Sequence, residues 1–255
     1  FRAASGIGGI KFTLKDNQFH KKVDNELLTG DVFFVYSLGE EMSFASSKKF
    51  LESLYQLERQ FNVVLNSAES TSYENKSKQK KLNFPWIPGF DVQTAKELSD
   101  LVSSGEKIIA KPLIGLCGQG VVYLGGINDL NKICDISQFL FEKYIPASEE
   151  RRYIFLDGQC IIRRKIGKDG SPGKERCTSV DLTEGNEREL KIARNIIHFL
   201  GMFYGAVDFR GDYLLEVNGS GTGVAPPTAS NEVDSYNLSN PIVQAVERKI
   251  KAIRL

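Results

Sequence analysis

Residues 205–218 read G-A-V-D-F-R-G-D-Y-L-L-E-V-N, two apolar runs (205–209 and 213–218) on either side of Arg210-Gly211-Asp212. Short β-prone runs around a Gly/Asp turn predict an antiparallel hairpin. Side chains alternate along a strand, so Glu216 and Asn218 share one face. Whether Asp208 joins them depends on the turn. A two-residue turn pairs Asp208 with Tyr213 and sends its carboxylate to the opposite face. A three-residue turn over Arg210-Gly211-Asp212 pairs Asp208 with Leu214 and gathers all three side chains, with Asp208 and Glu216 diagonal at about 7 Å between backbones. Gly and Asp in the turn are compatible with both; the three-residue turn is the expected one. Two carboxylates and an amide carbonyl at that reach suit hard, oxygen-preferring Mg²⁺, and a pair of such ions bridging phosphates. The plainer alternative is a hairpin with solvated acids, which Leu214, Leu215 and Val217 disfavour because such a strand is not freely exposed.

Working back from the hairpin, residues 187–200 read as a helix with Leu190, Ala193, Ile197 and Leu200 inward. Residues 153–156 and 160–164 are strands flanking Asp157-Gly158, a strong hairpin signal. Residues 140–145 are another strand. Strands at 107–113 and 121–124 flank the loop Gly115-Leu-Cys-Gly-Gln-Gly120. Antiparallel hairpins with packed helices make this part α+β. Further back, residues 32–38 (VFFVYSL) are a buried strand, and Ser46 or Ser47 caps a helix to about Phe61 with Phe50, Leu54, Leu57 and Phe61 on its apolar face. Residues 63–65 close a β-α-β unit, which is α/β. Residues 66–81 are polar and loop-like, and Asp91 caps a helix to about Ser104 that Gly105 stops. No internal repeat is present.

Lys111 precedes the glycine-bearing loop, where backbone N–H groups can cradle phosphate oxygens and a strand-borne lysine can meet their charge. It is not a P-loop, since no GK[ST] follows and a strand comes next. Glycine-rich loops without function are equally common. The remaining basic residues, Lys76, Lys78, Lys80, Lys81, Arg151, Arg152, Arg163, Arg164, Lys165, Lys168, Lys174 and Arg176, read mostly as a solvated surface. Nucleic-acid binding would need a stacking platform or a groove-fitting helix, and neither is evident. Lys+Arg 33 against Asp+Glu 32 leaves a net charge of +1, which argues against a dedicated nucleic-acid or anionic-membrane binder. At 255 residues, 41% hydrophobic and 25% charged, the chain is ordinary globular material for about two cores. The longest apolar stretch, 196–207, is broken by His198 and too short to span a bilayer. No signal peptide is expected, and the chain opens at Phe1 without a Met, so sequence is expected to precede it. Cys117, Cys134, Cys160 and Cys177 lack metal-type pairing and are too sparse for a disulfide scaffold, so a reduced, cytoplasmic setting is the expectation. His20 and His198 form no triad, which disfavours a hydrolase, and His198 reads as a packed residue.

Six stretches in order carry a resemblance: N-S-A-E-S-T…N-K at 66–76, I-I-A-K-P-L-I-G-L-C-G-Q-G at 108–120, F-E-K-Y-I-P at 141–146, R-R-Y-I-F-L-D-G-Q at 151–159, K-E-R at 174–176 and D-F-R-G-D-Y-L-L-E-V-N at 208–218. Together they resemble the ATP-grasp superfamily, in the branch of bacterial glutathione synthetase and the ligases that add glutamate to a protein tail or a coenzyme. The resemblance covers residues 66–218 well and the N-terminal unit loosely. It implies an α/β and α+β chain: a partial pre-ATP-grasp domain (1–70), then two ATP-grasp lobes, 71–145 with the glycine-rich lid and 146–255 with the metal site, enclosing the nucleotide.

Carried over residue by residue, the resemblance makes Lys76 and Lys111 the phosphate-binding lysines, with Lys78 a rival for the first. The loop with Gly115, Gly118 and Gly120 becomes the lid. Glu142, Lys143, Tyr144 and Ile145 become the hinge whose backbone meets adenine, and Glu150 the acid on the ribose hydroxyls. Arg152 and Arg176 face the transferred phosphoryl, and Asp208, Glu216 and Asn218 hold two Mg²⁺, or Mn²⁺. The implied activity is an ADP-forming, ATP-dependent carboxylate–amine ligase working through an acyl phosphate, on a small-molecule or peptide carboxylate and an amino acid such as glutamate. No nucleic-acid or membrane partner is implied, and homo-oligomerisation is left open. The alternative is a catalytically degenerate ATP-grasp nucleotide-binding or interaction module. The sequence departs from the family at Thr178, where Asn is usual, and in the glycine-rich run after Asn218.

Overall fold

A computed structural model describes residues 11–15, 18–22, 32–34, 48–59, 61, 63–113, 118, 120–146, 149–168, 177–219 and 239–253. Strands β1 (Lys11–Lys15) and β2 (Gln18–Lys22) form an antiparallel pair that the sequence reading did not include. Strand β3 (Val32–Phe34) runs parallel to β4 (Val63–Leu65) with α1 (Lys48–Glu58) between them, the expected β-α-β unit. Residues 35–38 and the two serines read as caps lie outside the described residues. Helix α1 stops short of Phe61.

Residues 66–81 are not a loop. They fold into α2 (Ala68–Ser72) and α3 (Lys76–Lys80), single turns started by Ser67, whose Oγ accepts from the Ser70 amide, and by Asn75, whose Oδ1 accepts from the amides of Ser77 and Lys78. The same polar side chains that favour turns also cap helices. After β5 (Gly89–Phe90), helix α4 (Ala95–Ser103) begins at Thr94 rather than Asp91. Thr94 and Glu97 make a reciprocal capping box at 3.2 and 3.0 Å, which outcompetes a lone Asp, and Asp91 instead accepts from the Gln93 side chain. Strands β6 (Ile108–Pro112), β7 (Val122–Leu124) and β8 (Phe139–Lys143) complete a four-stranded antiparallel sheet in the order β5-β8-β6-β7. Leu98 and Val102 of α4 pack on Ile108, Ala110, Leu124 and Phe141.

The rest of the described chain is built on a second sheet. Strands β9 (Glu149–Leu156) and β10 (Gln159–Lys168) are joined by Asp157 and Gly158 at φ 49° and 76°, the mirror-image turn that matches strand twist. With β11 (Cys177–Leu182), β12 (Tyr204–Arg210) and β13 (Tyr213–Asn218) they form a five-stranded antiparallel sheet in the order β11-β10-β9-β12-β13. Helix α5 (Glu187–Phe199) covers one face, burying Leu190, Ala193 and Ile197 against Tyr153, Phe155, Val207 and Phe209. On the other face Ile154, Leu156, Tyr204 and Ala206 pack on Leu65 of β4 and on Ile242, Ala245 and Val246 of α6 (Ser239–Ile253). His198 corrects the packed reading: it lies exposed on α5.

The turn at the end of β12 matches neither register considered from sequence. Gly211 and Asp212 make a two-residue turn that pairs Arg210 with Tyr213 and Phe209 with Leu214, and Gly211 takes φ 57°, which glycine adopts without strain. That register, continued, would set Asp208 opposite Leu215 and turn its carboxylate away from Glu216. A β-bulge between Asp208 and Phe209 resets it, so that Asp208 lies directly opposite Glu216. The three-residue turn is therefore wrong, whereas its consequence stands: the three side chains share a face.

Three buried polar side chains fasten the segment around α2 and α3 to this sheet. Asn66, 2% exposed and at φ 54°, donates to the carbonyls of Tyr204 and Gly219 at 2.6 Å each and accepts from the amides of Phe203 and Tyr204 at 2.8 and 3.0 Å. Gln79 donates to the Val217 carbonyl (2.7 Å) and accepts from its amide (3.0 Å), acting as a surrogate strand neighbour for β13. Glu74 accepts from the Gly219 amide at 2.8 Å. Removing Asn66 strands backbone groups that cost about 1–3 kcal/mol each when buried without a partner. Asn66→Ala should thus lower stability by at least about 2 kcal/mol in urea unfolding, and Asn66→Asp, which sets a carboxylate against two carbonyls, by more. Values near wild type for both would contradict the clamp.

Candidate active site

Directly paired residues of antiparallel strands project to the same side. Arg164 of β10 pairs with Arg152 of β9, Arg152 with Asp208 of β12, and Asp208 with Glu216 of β13, so these four side chains form one row across the sheet. Arg152 grips Asp208 with both ends of its fork, Nε to Oδ1 at 2.7 Å and Nη2 to Oδ2 at 2.6 Å. Asn218 donates to Asp208 at 3.2 Å and to Glu216 at 3.3 Å, placing both acids within reach of one amide. Burial pushes the Asp208 carboxyl up to about 6 against the pull of Arg152. Burial acts upward on Glu216 too, but Lys76, Lys111 and Arg152 together hold it below the usual carboxylate range. No group of three His, Cys, Asp or Glu side chains placed to hold a metal occurs among the described residues. The set here is two carboxylates and an amide, all hard oxygen donors once Asn218 presents Oδ1, and it fits a divalent cation such as Mg²⁺.

The lysines come from the other sheet and from α3. Lys111 of β6 ion-pairs with Glu142 of β8 at 2.5 Å, and Lys80 of α3 ion-pairs with the same carboxylate, which is 1% exposed. Lys80 also lies 4.8 Å from the centre of the Trp86 ring. Burial lowers the Lys80 pKa, and Glu142 opposes that shift. Of the two rivals for the first phosphate lysine, Lys76 has its charge felt by Glu216, while Lys78 is tied to Glu69 at 2.8 Å and to Ser72. Lys80 and the side chain of Glu142 were missed in the sequence. The signal was the spacing of Lys76 and Lys80, four residues apart and so one helical turn, readable only if residues 76–80 are read as a helix.

Residues 142–145 connect this cluster to the second sheet. The amides of Lys143 and Tyr144 donate to the carbonyls of Pro88 and Lys107, both at 2.8 Å, and the Ile145 carbonyl accepts from Arg210 Nε at 2.9 Å. Glu150 ion-pairs with Arg210 at 3.3 Å. Arg151 points to the opposite face, where it holds Glu189 of α5 at 2.7 Å. Gly118 and Gly120 have φ of 72° and 73°, while Gly115 and Arg176 lie outside the described residues. The structure thus brings Lys76, Lys111, Arg152, Asp208, Glu216 and Asn218 together.

Two acids flanked by arginines on one sheet thus lie near lysines from the other sheet and from a short helix. Residues 81–237 match the family model of the prokaryotic glutathione synthetase ATP-grasp domain, and the chain belongs to that family. It is similar to the glutathione synthetase of Synechococcus elongatus, 26% identical over 191 residues that cover 68% of this chain and 57% of the relative. It is also similar to that of Anaplasma centrale, 24% identical over 216 residues covering 78% and 68%. The chain therefore spans little more than half the length of the Synechococcus relative. Among solved structures, the ATP-grasp ligase PsnB complexed with minimal precursor superposes with a TM-score of 0.64 at 14% identity, over 94% of this chain and 86% of that one. D-alanine–D-alanine ligase from Bacillus anthracis complexed with ATP gives 0.60 at 18% identity, over 87% and 81%. The fold is ATP-grasp, as the sequence resemblance implied.

The shared carboxylate makes a stability prediction. Glu142→Leu leaves the buried Lys111 and the largely buried Lys80 without their shared counter-charge and should lower stability by about 3 kcal/mol. Adding Lys80→Met should recover part of that loss, with a coupling of at least about 1 kcal/mol in a double-mutant cycle read by urea unfolding. Strict additivity would contradict the shared pair.

Proposed function

We propose that the chain carries the nucleotide site of an ATP- and Mg²⁺-dependent carboxylate–amine ligase, ADP-forming, that makes an amide or peptide bond through an acyl phosphate. The finer reading is addition of an amino acid such as glutamate to a coenzyme, peptide or protein tail. The observation that carries the proposal is the row Arg152–Asp208–Glu216 with Asn218 beside it and Lys76 and Lys111 acting on Glu216. It puts cation-holding oxygens and fixed positive charge at one spot.

A carboxylate resists attack by an amine because it would have to expel an oxide or hydroxide. In the proposed reaction its oxygen attacks the γ-phosphorus of ATP, the bond to the bridging oxygen breaks and ADP leaves. The amine nitrogen then attacks the acyl carbon, the carbon–oxygen bond to phosphate breaks, and phosphate leaves while the nitrogen sheds a proton. Phosphoryl transfer of this kind needs positioning and charge stabilisation more than covalent help. Asp208, Glu216 and Asn218 would hold two Mg²⁺, or Mn²⁺, which supply charge neutralisation on the transferring phosphoryl. Lys76 and Lys111 meet phosphate oxygens. When Lys111 turns from Glu142 to the phosphates, Lys80 keeps that buried carboxylate paired. Arg152, oriented by its bidentate grip on Asp208, and Arg176 face the transferred group. The backbone of Glu142, Lys143, Tyr144 and Ile145 meets adenine, Glu150 the ribose hydroxyls, and the loop with Gly115, Gly118 and Gly120 closes over the phosphates.

Glu216→Gln keeps the shape of the side chain and its bond to Asn218 but removes one cation-holding charge. The variant should retain the wild-type unfolding midpoint to within a few degrees and lose ATP-dependent hydroxamate formation, measured with hydroxylamine as the amine across a panel of carboxylates. Wild-type turnover in Glu216→Gln would sink the metal assignment. Nucleotide binding by the wild type without turnover on any acid would return the degenerate-module reading.

A further inference from the structure

Arg164 is the member of the row to which the ligase reading gives no task. It is 4% exposed, and its Nε and Nη2 have no hydrogen-bond partner among the described residues. The other arginines of this sheet's central strands have partners: Arg151 has Glu189, Arg152 has Asp208, Arg163 has the Glu184 carbonyl, and Arg210 has Glu150 and the Ile145 carbonyl. Arg164 has as its cross-strand neighbours Arg152 on one side and Leu182 on the other, so no carboxylate faces it along its rung. A guanidinium cannot escape burial by losing its proton. Burial and then Arg152 both disfavour the charged form. A buried cation beside a second one, with open donors, lacks an anion among the described residues.

Its place in the row says where that anion belongs. Neighbouring strands are about 4.8 Å apart, so Arg164 stands about 5 Å beyond Arg152 and about 10 Å from Asp208, on the side away from the acids. It is as little exposed as Asp208 (3%), while Arg152 between them is half-buried and open to a ligand. The nucleotide phosphates and their cations belong at the acid end, near Glu216 and the lysines. The anion at Arg164 is then one that arrives with the other substrate.

We infer that Arg164, with Arg152, forms an oxyanion subsite on the acyl-substrate side of the site, taking either a carboxylate of the acyl substrate or the phosphoryl group once transferred to it. Both present paired oxygens to a guanidinium fork. The subsite rests on the ligase reading above, and nothing in that reading requires Arg164.

The test is calorimetric titration of wild type, Arg164→Met and Arg164→Lys, first with Mg²⁺ and ADP, then with inorganic phosphate or with succinate on the Mg²⁺- and ADP-loaded protein. Wild type and Arg164→Met should bind Mg²⁺ and ADP alike. At least one anion should bind wild type and bind Arg164→Met tenfold or more weakly, which is about 1.4 kcal/mol, with Arg164→Lys between them. Dependence confined to phosphate assigns the transferred phosphoryl, and dependence confined to succinate assigns the substrate carboxylate. Without ligands, Arg164→Met should melt higher than wild type, because an uncompensated buried charge is removed; a structural arginine would give a lower midpoint and overturn the subsite. Anion binding equal in wild type and Arg164→Met, or absent in a wild type that binds Mg²⁺ and ADP, overturns the subsite alone. Failure of wild type to bind Mg²⁺ and ADP overturns the ligase reading and the subsite with it.

Discussion

Asn66, Glu74 and Gln79 bond directly to backbone groups of residues 203–219, and the rest of the site depends on that clamp. The segment they belong to carries α2 and α3, whose single turns have too few residues to be stable alone. Docking on β13 supplies what length does not. It also fixes Lys76 and Lys80 relative to Glu216, because Gln79 lies between them in sequence and is itself bonded to Val217, the neighbour of Glu216. Residues 85–87 continue the contact: the amide of Leu214 donates to Pro85 and that of Ile87 to Leu214, so the outer edge of β13 is covered on its way to the other sheet.

Electrostatics follow from this placement. Two acids on one sheet and one on the other are each matched by cations: Asp208 by Arg152 of the next strand, Glu142 by Lys111 of the next strand and by Lys80, Glu216 by the field of Lys76 and Lys111. Charges held in a low-dielectric setting act more strongly than at a surface and need little reorganisation when a phosphate arrives. Sharing Glu142 between two lysines lets one turn to a ligand without stranding the carboxylate.

Much of this was legible in the sequence. The order of the strands and the helix from residue 107 to 218, apart from β11 at 177–182, which was missed, and the Asp157-Gly158 turn follow from alternation and turn chemistry, and the gathering of Asp208, Glu216 and Asn218 was expected. The route to that gathering was not the one expected: a bulge between Asp208 and Phe209 leaves no mark in composition, since it belongs to the pairing of the two strands rather than to residue type. Residues 66–81 misled because Ser and Asn serve turns and helix caps alike, and only docking on β13 decides between them. Thr94 outcompetes Asp91 through a partner three residues away. Lys80, Glu142 and Arg164 were hidden for a common reason: whether a charged side chain is solvated or buried against another depends on contacts between segments far apart in sequence.

The most direct test of a nucleotide site at Lys111 is the thermal unfolding midpoint of wild type and Lys111→Ala with and without Mg²⁺ and ATP. Ligand at about 100 times its dissociation constant adds about 2.7 kcal/mol, and about 2–4 °C per kcal/mol makes the wild-type shift roughly 5–10 °C. Lys111→Ala should keep a midpoint close to wild type without ligand, since Lys80 still holds Glu142, and should lose most of the shift. No shift in wild type, or an equal shift in both proteins, would contradict the site.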